Sequence, residues 1–130
     1  MRKRVYLAGP ISKGDLAHNI RQADAAFFAL ARAGLAPWCP QWSCYSTGPK
    51  VAPELPGLPG YVYAVATAAG GGGMGHSDWL DTDLAWVAVA DAVLRLPGES
   101  RGADAEVAHA REHGIPVFHS VEEVIAWSKG

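Results

Sequence analysis

Glu106 stands in a helix-forming stretch of small residues, 100–110 (SRGADAEVAHA), that follows an apolar run and the turn Pro97-Gly98. It lies four residues after Gly102, about one turn into that helix. Its side chain therefore leans back toward the helix N-terminus and the crevice above the preceding strand. Asp83 lies on the helix before that strand, among Leu80, Trp86 and Val87. Two carboxylates near one crevice can do glycosidic chemistry: one attacks or stabilises an oxocarbenium-like centre, and the other handles protons. The same spacing also fits two unrelated carboxylates that face solvent or cap backbone groups. Spacing alone leaves both readings open.

The loops beside these residues add an anion site. Residues 8–14 (AGPISKG) and 97–106 (PGESRGADAE) are rich in Gly and Ser, and each leads into a helix. Free N–H groups at a helix N-terminus bind phosphate; a tight strand-to-helix turn is the other reading. Neither loop has the P-loop or G-x-G-x-x-G pattern, so no nucleoside triphosphate or dinucleotide is implied. The candidate ligand-contacting positions of these loops are Gly9, Ile11, Ser12, Ser100 and Gly102, with Asn19 at the start of the first helix. Trp38, Trp42, Tyr45 and Trp79 offer faces for stacking a base, of which Trp42 is the best placed. His76 either closes over a leaving base or sits as a surface histidine.

The elements that must hold these residues alternate. Residues 4–9 (RVYLAG) read as a buried strand, and residues 15–33 carry apolar side chains at helical spacing, closed by Gly34. Residues 35–40 (LAPWCP) form a second short strand. Residues 41–76 hold GPKVAPELPGLPG and AAGGGGMG and predict a long loop or lid, with one short helix around 61–68. A helix capped by Ser77 or Asp78 then presents Trp79, Leu80, Asp83, Trp86, Val87 and Ala90 on one face. Residues 91–97 (DAVLRLP) are a third strand, 102–113 a helix, and 115–120 (IPVFHS) a fourth strand. A last helix opens with the capping box Ser120-x-x-Glu123. Alternation of this kind predicts a single flavodoxin-like or Rossmann-like α/β domain over residues 1–130. Its parallel sheet has four to five strands and helices on both faces. Ligands in such folds sit beyond the carboxyl ends of the strands, which selects three loops: 9–14 after the first strand, Cys39 onward after the second and 98–102 after the third.

The chain of 130 residues suffices for one core. Its formal charge of −2 argues against a nucleic-acid surface but not against a small anionic ligand. No apolar run is long enough to cross a bilayer, and the apolar stretch after the basic N-terminus is too short for a signal peptide. Cys39 and Cys44 match no zinc pattern and read as free thiols in a reducing compartment, which predicts a cytoplasmic protein.

Three segments together resemble the nucleoside 2-deoxyribosyltransferase superfamily, including its 2'-deoxynucleoside 5'-monophosphate N-glycosidase branch. They are YLAGPI at 6–11, DLAWVAVADAVL at 83–94, and SRGADAEVAHA at 100–110 followed by GIPVF. The resemblance implies that Glu106 is the nucleophile or cation stabiliser at the anomeric carbon. It implies that Asp83 positions the sugar and assists proton transfer to the base, and that Tyr6 hydrogen-bonds near Glu106 and the sugar. Asp91 reads as structural. No cofactor or metal is implied, and a homodimer or higher homo-oligomer is.

Two positions speak to the substrate. Six residues before the glutamate, members that take free nucleosides carry an aspartate, whereas the monophosphate glycosidases carry a serine; here it is Ser100. A carboxylate there would repel a 5'-phosphate, whereas a hydroxyl beside backbone N–H groups accepts it. Tyr6 resembles the deoxyribose-preferring members. One loop departs from the glycosidases: where they read Gly-Ser-Ile-Arg, this chain reads Gly9-Pro10-Ile11-Ser12-Lys13, which is closer to the nucleoside transferases. The expected function is hydrolysis of the base–sugar bond of a (deoxy)nucleoside 5'-monophosphate. The alternatives are base exchange on free deoxynucleosides and a non-catalytic nucleotide-binding or sensing module. The expected partner in every case is a small-molecule nucleotide or nucleoside, not a nucleic acid or a membrane.

Overall fold

The structure is a computed structural model that describes residues 1–10, 13–40 and 76–130. Four parallel strands form its sheet: β1 Arg4–Ala8, β2 Ala36–Trp38, β3 Ala92–Arg95 and β4 Val117–Phe118. Their order is β2-β1-β3-β4, so the chain reverses direction of travel across the sheet between β1 and β3. The helices are α1 Leu16–Arg32, α2 His76–Val87, α3 Arg101–Glu112 and α4 Val121–Lys129. Architecture and strand count agree with the expected flavodoxin-like sheet among the described residues. No described helix is long and apolar enough to cross a membrane.

Strand alternation divides the core into two layers. Val5 and Leu7 of β1 and Leu94 of β3 pack with Ala23, Ala26 and Leu30 of α1 and Val124 of α4. Tyr6, Ala8 and Val93 point the other way, against Val87 of α2 and Ala103, Val107 and Ala110 of α3. Leu7, Leu30 and Leu94 are almost wholly buried, and each such side chain contributes about 2 kcal/mol. The helix starts follow local rules. Asp15 caps α1 by accepting from His18 N at 3.2 Å, and Ser120 caps α4 by accepting from Glu123 N at 3.2 Å. Asp91 ties the edge of β3 to β1, with Oδ2 accepting from Arg4 N at 2.7 Å, the structural part expected of it.

Three expectations change. Helix α2 opens at His76, so Ser77 and Asp78 lie inside its first turn and do not cap it from outside. Helix α3 opens at Arg101, one residue before Gly102, because Ser100 takes the cap position. Trp86 does not share the buried face of Asp83 and Val87; it is 52% exposed and stacks at 5.5 Å on the exposed Trp38. Helical spacing gives a stripe but not its edges, and Trp86 falls past the edge. The lid expected at 41–76, with Cys44, Tyr45, Tyr61 and Tyr63, lies outside the described residues apart from His76.

The carboxyl ends of β1 and β3 approach closely. A Cβ at Gly9 would come within 2.9 Å of Leu96 Cβ. Gly98 has φ +114°, and a Cβ there would meet Pro10 Cγ at 2.7 Å. Pro10 therefore fills the space above Gly98 and locks the first loop onto the third. Gly98→Ala combines a conformation that L side chains avoid with a steric clash. It should cost about 2 kcal/mol, read as a lowered midpoint in urea denaturation; an unchanged midpoint would show that the two loops are not locked.

Candidate active site

Asn19, Asp83 and Glu106 are the buried polar or charged residues among those described, besides Tyr6. Glu106 comes from one turn inside α3 and Asp83 from the middle of α2, and the two helices pack side by side on one face of the sheet. Tyr6 enters from β1 beneath them and is 1% exposed. Three elements distant in sequence thus deliver two carboxyls and a phenol to one place.

Burial decides the electrostatics. Desolvation by burial, with the neighbouring Asp83 charge, raises the Glu106 carboxyl from 4.5 to about 8, against the nearby Tyr6 hydroxyl and the Arg95 charge, which lower it. Desolvation alone lifts Asp83 from 3.8 to about 6. Both carboxyls are therefore pushed toward the protonated form, Glu106 the more strongly. Glu106 Oε2 is buried and has no hydrogen-bond partner among the described residues. A buried carboxylate oxygen without a donor is costly, and a ligand hydroxyl or an electrophilic carbon would meet it there. The indole N–H of Trp79, one turn before Asp83 on α2, is likewise buried without an acceptor among the described residues.

Above the carboxyls lies the N-terminus of α3. Ser100 Oγ accepts from Ala103 N at 3.0 Å, which leaves the hydroxyl hydrogen available to donate. The N–H groups of Arg101 and Gly102 have no acceptor within the helix. Among the described residues, a Cβ at Gly102 would meet only the Ser100 hydroxyl, at 3.9 Å. Lys13 reaches across from the first loop to pair with Glu99 at 3.2 Å. Both are well exposed, so the pair contributes little to stability, but it places a cation beside the turn.

The expected site residues divide as follows. Tyr6, Asp83 and Glu106 come together, with Ser100 and Gly102 at the helix end next to Glu106. Gly9 lies where β1 ends beside Leu96, which packs in the other core layer. Asn19 is buried and donates from Nδ2 to the Lys13 carbonyl at 2.8 Å, so it holds the first loop in place. Ile11, Ser12 and Trp42 lie outside the described residues. Sequence reasoning missed Arg95, the final residue of β3. Its signal was a lone cation inside an apolar strand, two positions from Val93 and so on the same face as Tyr6. An apolar recess of about 220 Å³ lies between β1, β2 and the end of α2, lined by Tyr6 and with Trp38 and Trp86 on its rim; neither carboxylate lines it.

No protein-family model matches the chain, and no curated protein does. Among solved structures, it is similar to the 2-deoxyribosyltransferase from the psychrotolerant bacterium Bacillus psychrosaccharolyticus, with 17% identity and a TM-score of 0.53. The match covers 88% of this chain and 69% of that one. At that identity the likeness is one of fold. The chain has a nucleoside 2-deoxyribosyltransferase-like fold.

Proposed function

We propose that the protein is an enzyme that hydrolyses the N-glycosidic bond of a (deoxy)nucleoside 5'-monophosphate. The observation that carries this reading is the buried Asp83–Glu106 pair, set beside Tyr6 and below a serine-capped helix N-terminus. The 5'-phosphate lies on the Ser100–Gly102 turn, which places the sugar over the two carboxyls. Glu106 approaches C1' from the face opposite the base. As its oxygen bonds to C1', the C1'–N bond breaks and the electron pair leaves with the base. Asp83 gives the base its proton. Water then attacks C1', Asp83 takes a proton from it, and the C1'–Oε bond returns its electrons to Glu106. The Tyr6 hydroxyl orients the Glu106 carboxyl throughout. The residues supply every proton and charge this sequence needs, with no cofactor.

The likeness in fold to a 2-deoxyribosyltransferase favours a second reading, in which a free base replaces water as acceptor and the substrate is a free deoxynucleoside. The natural nucleoside monophosphates and their free nucleosides are incubated with the protein, with and without a second base, and the bases are followed by chromatography. Release from a monophosphate that Glu106→Ala abolishes supports hydrolysis. Exchange confined to free nucleosides supports the transferase. If no substrate releases or exchanges base, both readings fail.

Ser100→Asp separates them at one position. Aspartate also caps a helix, so the fold is retained while a negative charge enters the turn. The kcat/KM for a monophosphate should fall about 100-fold through like-charge repulsion, whereas that for the free nucleoside should hold or rise. An equal loss on both would show that the phosphate does not sit on this turn.

A further inference from the structure

Arg95 is the last residue of β3, in register with Ala8 of β1. Alternation along the strand puts its side chain on the Val93 side of the sheet, under α2 and α3. The side chain is 13% exposed. Its guanidinium donates to the carbonyls of Leu96 and Gly98, the latter at 2.9 Å, and to Asp104 Oδ1 at 3.1 Å. Both carbonyls belong to the turn that ends in Ser100, and Asp104 lies in the first turn of α3. One rigid fork thus connects the end of β3, the turn and the helix that carries Glu106. An ammonium group, with a single nitrogen, cannot span three such acceptors. The groups that act on Glu106 are Arg95 from β3, Asp83 from α2 and the Tyr6 hydroxyl from β1.

On the reading that this site cleaves a glycosidic bond, we propose that Arg95 is a positioning residue with two tasks: its fork shapes the anion-binding turn, and its charge, on the face of the sheet that carries Tyr6, favours the ionised form of Glu106 that attack on C1' needs. The second task has a chemical reason. Burial favours the protonated form of Glu106, but the nucleophile must be ionised and the proton must stand where the base can take it. Of the three facing groups, Asp83 holds the proton on Glu106, and Arg95 and Tyr6 act to remove it. Arg95 is the cation among them.

The test compares wild type, Arg95→Gln and Arg95→Lys by two independent readouts. The first is an NMR titration of the full chain carrying ¹³C at the glutamate Cδ, without substrate, with Glu106→Gln identifying the signal. Arg95→Gln should move the Glu106 midpoint up by about one pH unit, and Arg95→Lys, which keeps the charge, should leave it near wild type. The second is steady-state kinetics, in which both variants should raise KM for the monophosphate about tenfold, because neither holds the turn. An unmoved midpoint in Arg95→Gln overturns the charge task; a wild-type KM in Arg95→Lys overturns the fork task. Should Arg95→Gln not fold, Asp104→Asn takes its place. It removes a carboxylate that shares the guanidinium, so the midpoint should fall, and a midpoint that stays or rises overturns the charge task. The titration needs no turnover. A shifted midpoint with no base released by wild type would sink the glycosidase reading while the Arg95–Glu106 coupling stands.

Discussion

Glu106→Gln should lose at least about 10³-fold in kcat and yet be more stable than wild type at pH 8. The two effects have one cause. The native protein keeps the Glu106 proton up to about pH 8, whereas the ordinary value is 4.5. Between those values the unfolded chain has released a proton that the folded chain still binds. Stability therefore falls as pH rises. The contribution is fully present below about 4.5 and is lost by the time pH passes about 8. At about 1.4 kcal/mol per pH unit this is on the order of 4 kcal/mol. Asp83 adds a smaller loss of the same sign between 3.8 and about 6. Glutamine fills the same space without ionising, so the Glu106 part of the slope disappears. Urea denaturation of wild type and Glu106→Gln at pH 5 and pH 8, without substrate, measures it. Parallel curves at both pH values would show that Glu106 is not held protonated. A variant that releases base at the wild-type rate would end the nucleophile assignment.

The second large effect is in the pH dependence of turnover. Catalysis needs the pair with one proton, so kcat/KM should be bell-shaped. Its limbs should lie near the values of the two groups, about 6 and about 8. Asp83→Asn removes the proton donor and the like charge together. Turnover should drop about 10²- to 10³-fold, the loss expected when a general acid is removed. The alkaline limb should vanish, leaving a single rise. That rise should lie below pH 8, because the Asp83 charge no longer opposes ionisation of Glu106, while desolvation still holds it above 4.5. An Asp83→Asn profile that stays bell-shaped would show that another group supplies the proton.

Much of this site is legible along the chain. The glutamate one turn into its helix and the aspartate at the head of DLAWVAVADAVL are local facts, and a helix places them by its own geometry. The buried strand through Tyr6 is equally local, because a short apolar run closed by Gly-Pro has few other uses. The edge of α2 is not legible. Trp86 fits the helical stripe of Asp83 and Val87, but burial depends on what packs there, and Trp38 from β2 meets it at the surface instead. Arg95 is harder still, since its acceptors are backbone carbonyls of the following turn and a carboxylate on the next helix. No periodicity encodes those partners.

By itself, the sequence determined the alternation of strand and helix, the buried run of β1 and the cap at Ser120. Side-chain period and backbone hydrogen bonding act over a few residues, so these need no knowledge of the rest. Only the tertiary structure decided that Asp83, Glu106 and Tyr6 share one dry place, and that Arg95 faces them. Their carboxyls are ordinary acids until two helices and a strand exclude water from around them. Desolvation belongs to the assembled fold, and with it comes the one proton that the proposed chemistry needs.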